Sequence, residues 1–461
     1  MNKSVIINAL YDRYITPTTD KRERSIGIEI EMPIIHMDAQ PVNFSVVHQL
    51  TSAFADRFHM EALGRDDEGH VYLLENLEFG DSLSYDCSYN TLEISLGKGR
   101  DLFALNERFS TYYRFINRFL RPFRHSLTGM GVNPYRNSNH STPIPNERYR
   151  MLYHFLGLYK HYTHPDFFHT YPNFGMFSNA SQVQIDIHES ELLDTIQTFE
   201  KLEPIKALLF SNSVMPEEEG NAICVRDMLW ENSMHGLNPK NVGFYKQNLT
   251  SVEDLLDYMQ QESIYCVMRN EIYINFTPTP VSDYFSGGDR VGEFWNGSDY
   301  QKIAFTPEIE DLQYLRTFKL EDLTYRGTIE FRSSCCQPIK DNMTVAAFHV
   351  GLIEMLPQLK ELFAQDHVLY GHGQDAEALR KAFCKGMMLE FIDRDQLQHL
   401  ILSILDLAQI GLERRGKKES IFLEPLYDRA DRMTNPATEY LRALSDGVPM
   451  DVLVQQYAEI D

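Results

Sequence analysis

Ser25-Ile26-Gly27-Ile28-Glu29-Ile30-Glu31-Met32 alternates strictly, and a period of two marks an extended strand with two unlike faces. Ile26, Ile28, Ile30 and Met32 face one way, while Glu29 and Glu31 face the other. Taken alone, the segment reads as a half-exposed strand with a solvated acidic side. The pattern recurs three times. Leu92, Ile94 and Leu96 leave Thr91, Glu93 and Ser95 opposite them, with Asp86 seven residues before Glu93. Val183, Ile185 and Ile187 leave Gln182, Gln184 and Asp186. Ile329 and Phe331 flank Glu330, whose face Arg332 shares. Four strands therefore each present polar side chains, nearly all of them oxygen-bearing, behind an apolar face.

Alternation also marks 71–75 and 264–276. Apolar residues recur three and four apart over 44–59, 101–126, 190–209, 252–261, 342–364, 376–391 and 394–413, which predicts helices there. The mixture is α+β, with an antiparallel sheet expected. From about residue 340 strands vanish, so 341–461 is expected to form helices packed against the sheet or a small bundle of its own. The run Arg414 to Lys418 is expected to cap one of those helices. Two stretches, 134–146 and 277–300, read as loops, the second carrying Thr277-Pro278-Thr279-Pro280 and Ser286-Gly287-Gly288. Either can serve as a lid or as a plain solvated connection.

The 461 residues exceed what a single core usually organises, about 250 to 300, so an enlarged fold with a helical annex is expected. A formal charge of -23 disfavours nucleic acid and anionic membrane surfaces as partners. It leaves room for ATP, which arrives with magnesium and meets a local basic site. Cys87, Cys224, Cys266, Cys335, Cys336 and Cys384 show no CxxC spacing, which points to reduced thiols and a cytoplasmic location. No window approaches 18 uninterrupted apolar residues, and the first residues lack a leader pattern.

Glutamates on rigid strands suit magnesium, which prefers hard oxygen ligands in near-octahedral geometry. Without a cation such carboxylates repel one another, and at least one binds a proton. The chain has no GxxxxGK[ST] loop and no nucleophile elbow. Its arginines can grip carboxylate or phosphate in bidentate fashion.

Gly27-Ile28-Glu29-Ile30-Glu31 resembles the opening metal-binding strand of glutamate-cysteine ligases, within the glutamine synthetase superfamily. Asp86 with Leu92-Glu93 is similar to the acidic pair of the second metal segment, and Asn179 to Asp186 to the substrate and metal strand. Ile329-Glu330-Phe331-Arg332 resembles the late Glu-x-Arg strand. Further echoes of the plant and proteobacterial branch lie at Gly129 to Pro134, Pro145 to Tyr149, Ala207 to Ser213 and Val225 to Trp230, so the likeness spans about 25–340. It implies a curved antiparallel sheet shaped as a funnel, with 1–340 as the catalytic domain and 341–461 as its helical C-terminal region. It implies that Glu29, Glu31, Asp86, Glu93, Gln184 and Glu330 hold Mg2+. Arg226 and Arg332 would act on the transferring phosphoryl group, and Arg148, Gln182 and Arg332 would contact ATP. The implied reaction joins the γ-carboxylate of glutamate to the amine of cysteine through an acyl phosphate. Ser333-Ser334-Cys335-Cys336-Gln337 departs from the family's small residue and aspartate, and Arg326-Gly327-Thr328 departs as well. A carboxylate-amine ligase with another amine or a peptide as acceptor therefore stays open, as does a non-catalytic nucleotide or amino-acid binder that regulates a partner.

Overall fold

A computed structural model describes residues 2–20, 23–162 and 167–460. Its strands are β1 (Ile26–His36), β2 (Glu61–Arg65), β3 (Val71–Glu75), β4 (Ser82–Tyr85), β5 (Thr91–Gly99), β6 (His125–Leu127), β7 (Ser181–Asp186), β8 (Val242–Gly243), β9 (Ser263–Arg269), β10 (Ile272–Pro280), β11 (Arg290–Trp295), β12 (Tyr300–Phe305), β13 (Phe318–Lys319), β14 (Glu321–Leu323) and β15 (Thr328–Phe331). The α-helices up to the last strand are α1 (Lys3–Leu10), α2 (Phe44–Phe58), α3 (Leu102–Leu120), α4 (Glu147–Gly157), α5 (Glu189–Phe210), α6 (Pro216–Glu219), α7 (Val225–Glu231), α8 (Val252–Met259) and α9 (Val281–Ser286). Beyond it come α10 (Thr344–Ile353), α11 (Leu356–Ala364), α12 (Ala376–Cys384), α13 (Arg394–Arg414), α14 (Glu424–Arg432), α15 (Pro436–Ser445) and α16 (Met450–Gln456).

The main sheet runs β14-β15-β7-β1-β5-β4-β3-β2, with β6 paired to the far end of β1. All its pairings are antiparallel. The four strands singled out by alternation, β15, β7, β1 and β5, are neighbours at its centre. Their apolar face carries Ile28, Ile30, Leu92, Ile94, Val183, Ile185, Ile329 and Phe331, all fully buried. Each such side chain contributes about 1.5–3 kcal/mol when withdrawn from water. Helices α5 and α10 lie on this face, where Phe331 packs 4.6 Å from the Phe199 ring and 4.5 Å from the His349 ring. One apolar cluster continues from Ile6 through the sheet to Ala430.

Helices α10 and α13 cross at Gly351 and Gly411, where a Cβ on either would strike the backbone of the other helix. At the outer edge, β2 pairs with β3 through two register shifts, at Ala62/Gly64 and Gly64/Arg65. A second antiparallel sheet, β12-β11-β10-β9, stands apart, and β13 pairs with β8 in parallel.

Several sequence expectations change. The stretch 264–276 is two strands, because Asn270 and Glu271 turn the chain with φ of 49° and 63°. The stretch 277–300 is no loop: it holds the end of β10, then α9 and β11. The helix expected over 101–126 ends at Leu120, and His125–Leu127 returns to the sheet as β6. The one expected over 342–364 is broken between Ile353 and Leu356, and the one over 376–391 stops at Cys384, just before the left-handed Gly386. Among the described residues no helix is long and apolar enough to cross a membrane.

Candidate active site

The polar face of β15, β7, β1 and β5 floors a cavity of about 550 Å³, within the range of small-molecule sites. Glu29, Glu31, Asp86, Glu93, Arg148, Gln182, Gln184, Arg226, Glu330 and Arg332 all line it. Strand register sets the order. Glu31 lies opposite Glu93 across β1 and β5, Glu29 opposite Gln182, and Glu330 opposite Gln184. Asp86 enters from the turn after β4, Arg148 from the first turn of α4, which Asn146 caps, and Arg226 from α7. Asp186 parts from its strand neighbours. Its carboxylate accepts a hydrogen bond from Ser25 N at 2.9 Å and faces a separate cleft beside Arg24 and Arg100.

The carboxylates are held by short contacts. Glu31 accepts hydrogen bonds from Ala180 N at 2.7 Å and Gln182 Nε2 at 2.9 Å. Ser95 Oγ donates to Glu93 at 2.6 Å, and Arg332 Nη1 to Glu330 at 2.6 Å. Gln184 Nε2 donates to both Glu29 at 2.9 Å and Glu330 at 3.1 Å. Its amide nitrogen therefore faces the carboxylates, and a half-turn of the amide would present the oxygen instead.

Crowding shows in the acidities. Burial, reinforced by Glu330 and Glu93, pushes the Glu29 carboxyl well above its ordinary range. Burial, then Asp86 and Glu93, raises Glu31 to about 8. Asp86 and Glu93 are raised as well, burial again being the main cause. Like charges directly opposite one another in a sheet are destabilising, so this floor favours a ligand that brings positive charge. A hard divalent cation fits the donor set, which is carboxylate oxygen on rigid strands. The buried Gln182 Oε1 also lacks a hydrogen-bond partner among the described residues.

Facing the acids, Arg226 donates to Ser178 Oγ at 3.3 Å and to the Ser334 carbonyl at 3.2 Å. Arg148 projects into the open cavity and stacks against Tyr149, 5.4 Å from the ring centre. Aromatic groups, among them Trp230, Tyr265 and Phe318, complete the wall. Asp322, which the sequence did not single out, lies opposite Glu330 in the β14–β15 register and is held by Thr317 at 2.8 Å. Its strand has three residues, too few to show a period. Arg316 also lines the cavity unannounced, and Tyr149, the last residue of the 145–149 echo, lines it without having been given a role, both in segments without alternation.

The departing segment 333–337 turns away from the cavity. Gln337 Nε2 donates to the Phe210 carbonyl at 2.9 Å, and Cys335 Sγ to Ser213 Oγ at 3.3 Å. All six cysteines are free and buried. Cys224, Asp227 and Cys384 approach within 4.8 Å, but both Asp227 oxygens are gripped by Arg380, so this group reads as hydrogen-bonded packing.

No family model matches the chain. Its sequence is similar to the chloroplastic glutamate-cysteine ligase of Solanum lycopersicum, 26% identical over 278 residues, covering 58% of this chain and 49% of that one. Glutamate-cysteine ligase A of Oryza sativa subsp. indica is 28% identical over 260 residues, covering 54% and 49%. The Brassica juncea enzyme is 23% identical over 423 residues, covering 87% and 74%. The chain spans about half the length of the first two of these relatives. Two solved structures align at 12% identity. They are the Francisella tularensis glutamate-cysteine ligase in complex with AMP, TM-score 0.49, covering 96% of this chain and 88% of that one, and a bifunctional glutathione synthetase from Pasteurella multocida, TM-score 0.48, covering 99% and 53%.

Proposed function

Taking as premise that the chain is a sequence relative of the glutamate-cysteine ligases, we propose that it is an ATP- and magnesium-dependent ligase making γ-glutamylcysteine from glutamate and cysteine. The observation that supports this most is the convergence of Glu29, Glu31, Asp86, Glu93 and Glu330 on one cavity floor, beside Arg332 and facing Arg148 and Arg226. Those five carboxylates, with Gln184 after an amide turn, would hold Mg2+, which supplies positive charge to the phosphates of ATP.

The chain's own groups do the rest. Attack of the glutamate γ-carboxylate on the γ-phosphate of ATP forms an acyl phosphate and releases ADP. The cysteine amine then displaces phosphate from the acyl carbon. Phosphoryl transfer asks mainly for position and charge stabilisation. Arg332 is held on the floor by Glu330, and Arg226 by Ser178 and the Ser334 carbonyl. Both guanidinium groups are thereby fixed before an anion arrives. Arg148 and Gln182 are assigned to the nucleotide. Aromatic walls limit water, which would otherwise hydrolyse the acyl phosphate.

We assign the chemistry to residues 1–340 and a supporting role to 341–461, and place the reaction in the cytoplasm. The inward packing of 333–337 removes those side chains from the acceptor's path, which favours cysteine over an altered amine. The test is direct: purified protein with ATP, magnesium, glutamate and cysteine should release ADP and form γ-glutamylcysteine. Absence of that product refutes the proposal, and turnover with a different amine alone would replace the acceptor.

A further inference from the structure

Arg380 on α12, in the helical C-terminal region, is 2% exposed and hydrogen-bonds through all three nitrogens of its guanidinium fork. Nε and Nη2 bind the two Asp227 oxygens at 2.6 and 3.0 Å. Nη1 lies 3.0 Å from the Glu203 carbonyl and 2.7 Å from its carboxylate. Nη2 also reaches the Ser333 carbonyl at 3.4 Å. Two of these partners are chain neighbours of the cavity arginines: Asp227 follows Arg226, and Ser333 follows Arg332.

We propose that Arg380 is a positioning residue that fixes Arg226 and Arg332 relative to each other from behind the cavity wall; the inference rests on the ligase reading above. The geometry closes a loop. In front, the Arg226 side chain ties α7 to the Ser334 carbonyl. Behind, Arg380 ties Asp227 to the Ser333 carbonyl and anchors both on Glu203, which also accepts from Ser333 Oγ at 2.9 Å and pairs with Lys206. The two arginines sit on separate segments far apart in sequence, and their spacing must match one anionic substrate assembly. Such a match is sensitive, since a displacement of about 1 Å can cost about a hundredfold in rate. A lysine cannot replace this clamp, because a compact ammonium lacks the planar fork that spans two carboxylate oxygens and a carbonyl. A role confined to stability predicts a lower melting temperature with unchanged Michaelis constants. Positioning predicts changed constants in folded protein.

The experiment uses the full chain with Arg380→Lys, and Asp227→Asn as a milder variant that keeps the shape and the Glu203 contacts. Amide hydrogen exchange is followed at 225–231 and 333–337, with β1 and β5 as internal references, beside kcat and KM and the affinity for magnesium-ATP. Both variants are expected to exchange faster at those two segments only. The KM for ATP or for the carboxylate substrate should rise about tenfold or more, with partial recovery in millimolar guanidinium for Arg380→Ala. Unchanged local exchange in folded Arg380→Lys overturns the proposal, as does faster exchange with wild-type constants and nucleotide affinity. If Arg380→Lys does not fold, Asp227→Asn decides by the same criteria. Wild-type protein without ADP release would refute the ligase reading instead, and local exchange together with magnesium-ATP affinity then decides on the clamp.

Discussion

Two clusters of charge lie back to back in this molecule and are solved in opposite ways. On the cavity floor Glu29, Glu31, Asp86 and Glu93 crowd together, and every one is pushed toward protonation. Behind the wall Glu203, Lys206, Glu321 and Arg380 are more deeply buried, yet there the protein supplies its own cations. Burial opposes ionisation of Glu203, but Lys206 and Arg380 outweigh it and hold that carboxyl down to about 2. Glu321, pressed by burial and then by Glu203, goes the other way. The inner cluster is balanced within the fold. The outer one keeps an acidic surplus beside open space, which is the arrangement expected where positive charge comes with a ligand.

The sharpest way to break this contrast is to neutralise the floor. Glu29→Gln and Glu330→Gln should each lower ADP release by about a hundredfold or more, while in Glu29→Gln thermal melting stays level or rises because repulsion is relieved. A melting temperature that falls steeply would show the floor to be structural. Glu203→Gln should do the reverse, costing about 3–5 kcal/mol of stability by leaving Lys206 and Arg380 short of a buried partner. Denaturant midpoints measure this, and a loss no larger than that of a surface change would contradict the balance described for the inner cluster. Magnesium at a hundredfold over its dissociation constant should stabilise the wild-type protein by about 2.7 kcal/mol. That gain should vanish in Glu29→Gln, and chelation should stop turnover.

A further effect is expected in pH. With Glu31 raised from 4.5 to about 8, the metal-free folded state keeps a proton that the unfolded chain releases. Its stability contribution is complete below pH 4.5 and drains as pH climbs through 8, by up to about 1.4 kcal/mol per unit. Midpoints at pH 6, 7 and 8 in chelator should therefore fall. With excess magnesium they should flatten or rise, since cation binding displaces the proton.

Much of the floor was legible because a strand with one buried face must alternate. Glu29, Glu31, Glu93, Gln184 and Glu330 were named from that rule, and the structure brings them to one cavity. The rule failed where polarity did not change with direction. Asn270 and Glu271 reverse the chain between two stretches that share one period, so period alone ran them together. Asp186 obeyed the period, but its place at the strand end beside Ser25 N took it to another cleft. Arg380 had no signal at all. It sits in an ordinary amphipathic helix, and only the fold brings the Asp227 carboxylate and the Glu203 and Ser333 carbonyls beneath it.

The doubly interrupted pairing of β2 with β3 has a practical corollary. A sheet this broad ends in a row of unsatisfied amides and carbonyls, an invitation to fibril growth by any passing extended segment. The two irregularities beside Gly64 bend that margin out of line, so concentrated solutions should resist templated aggregation from this side.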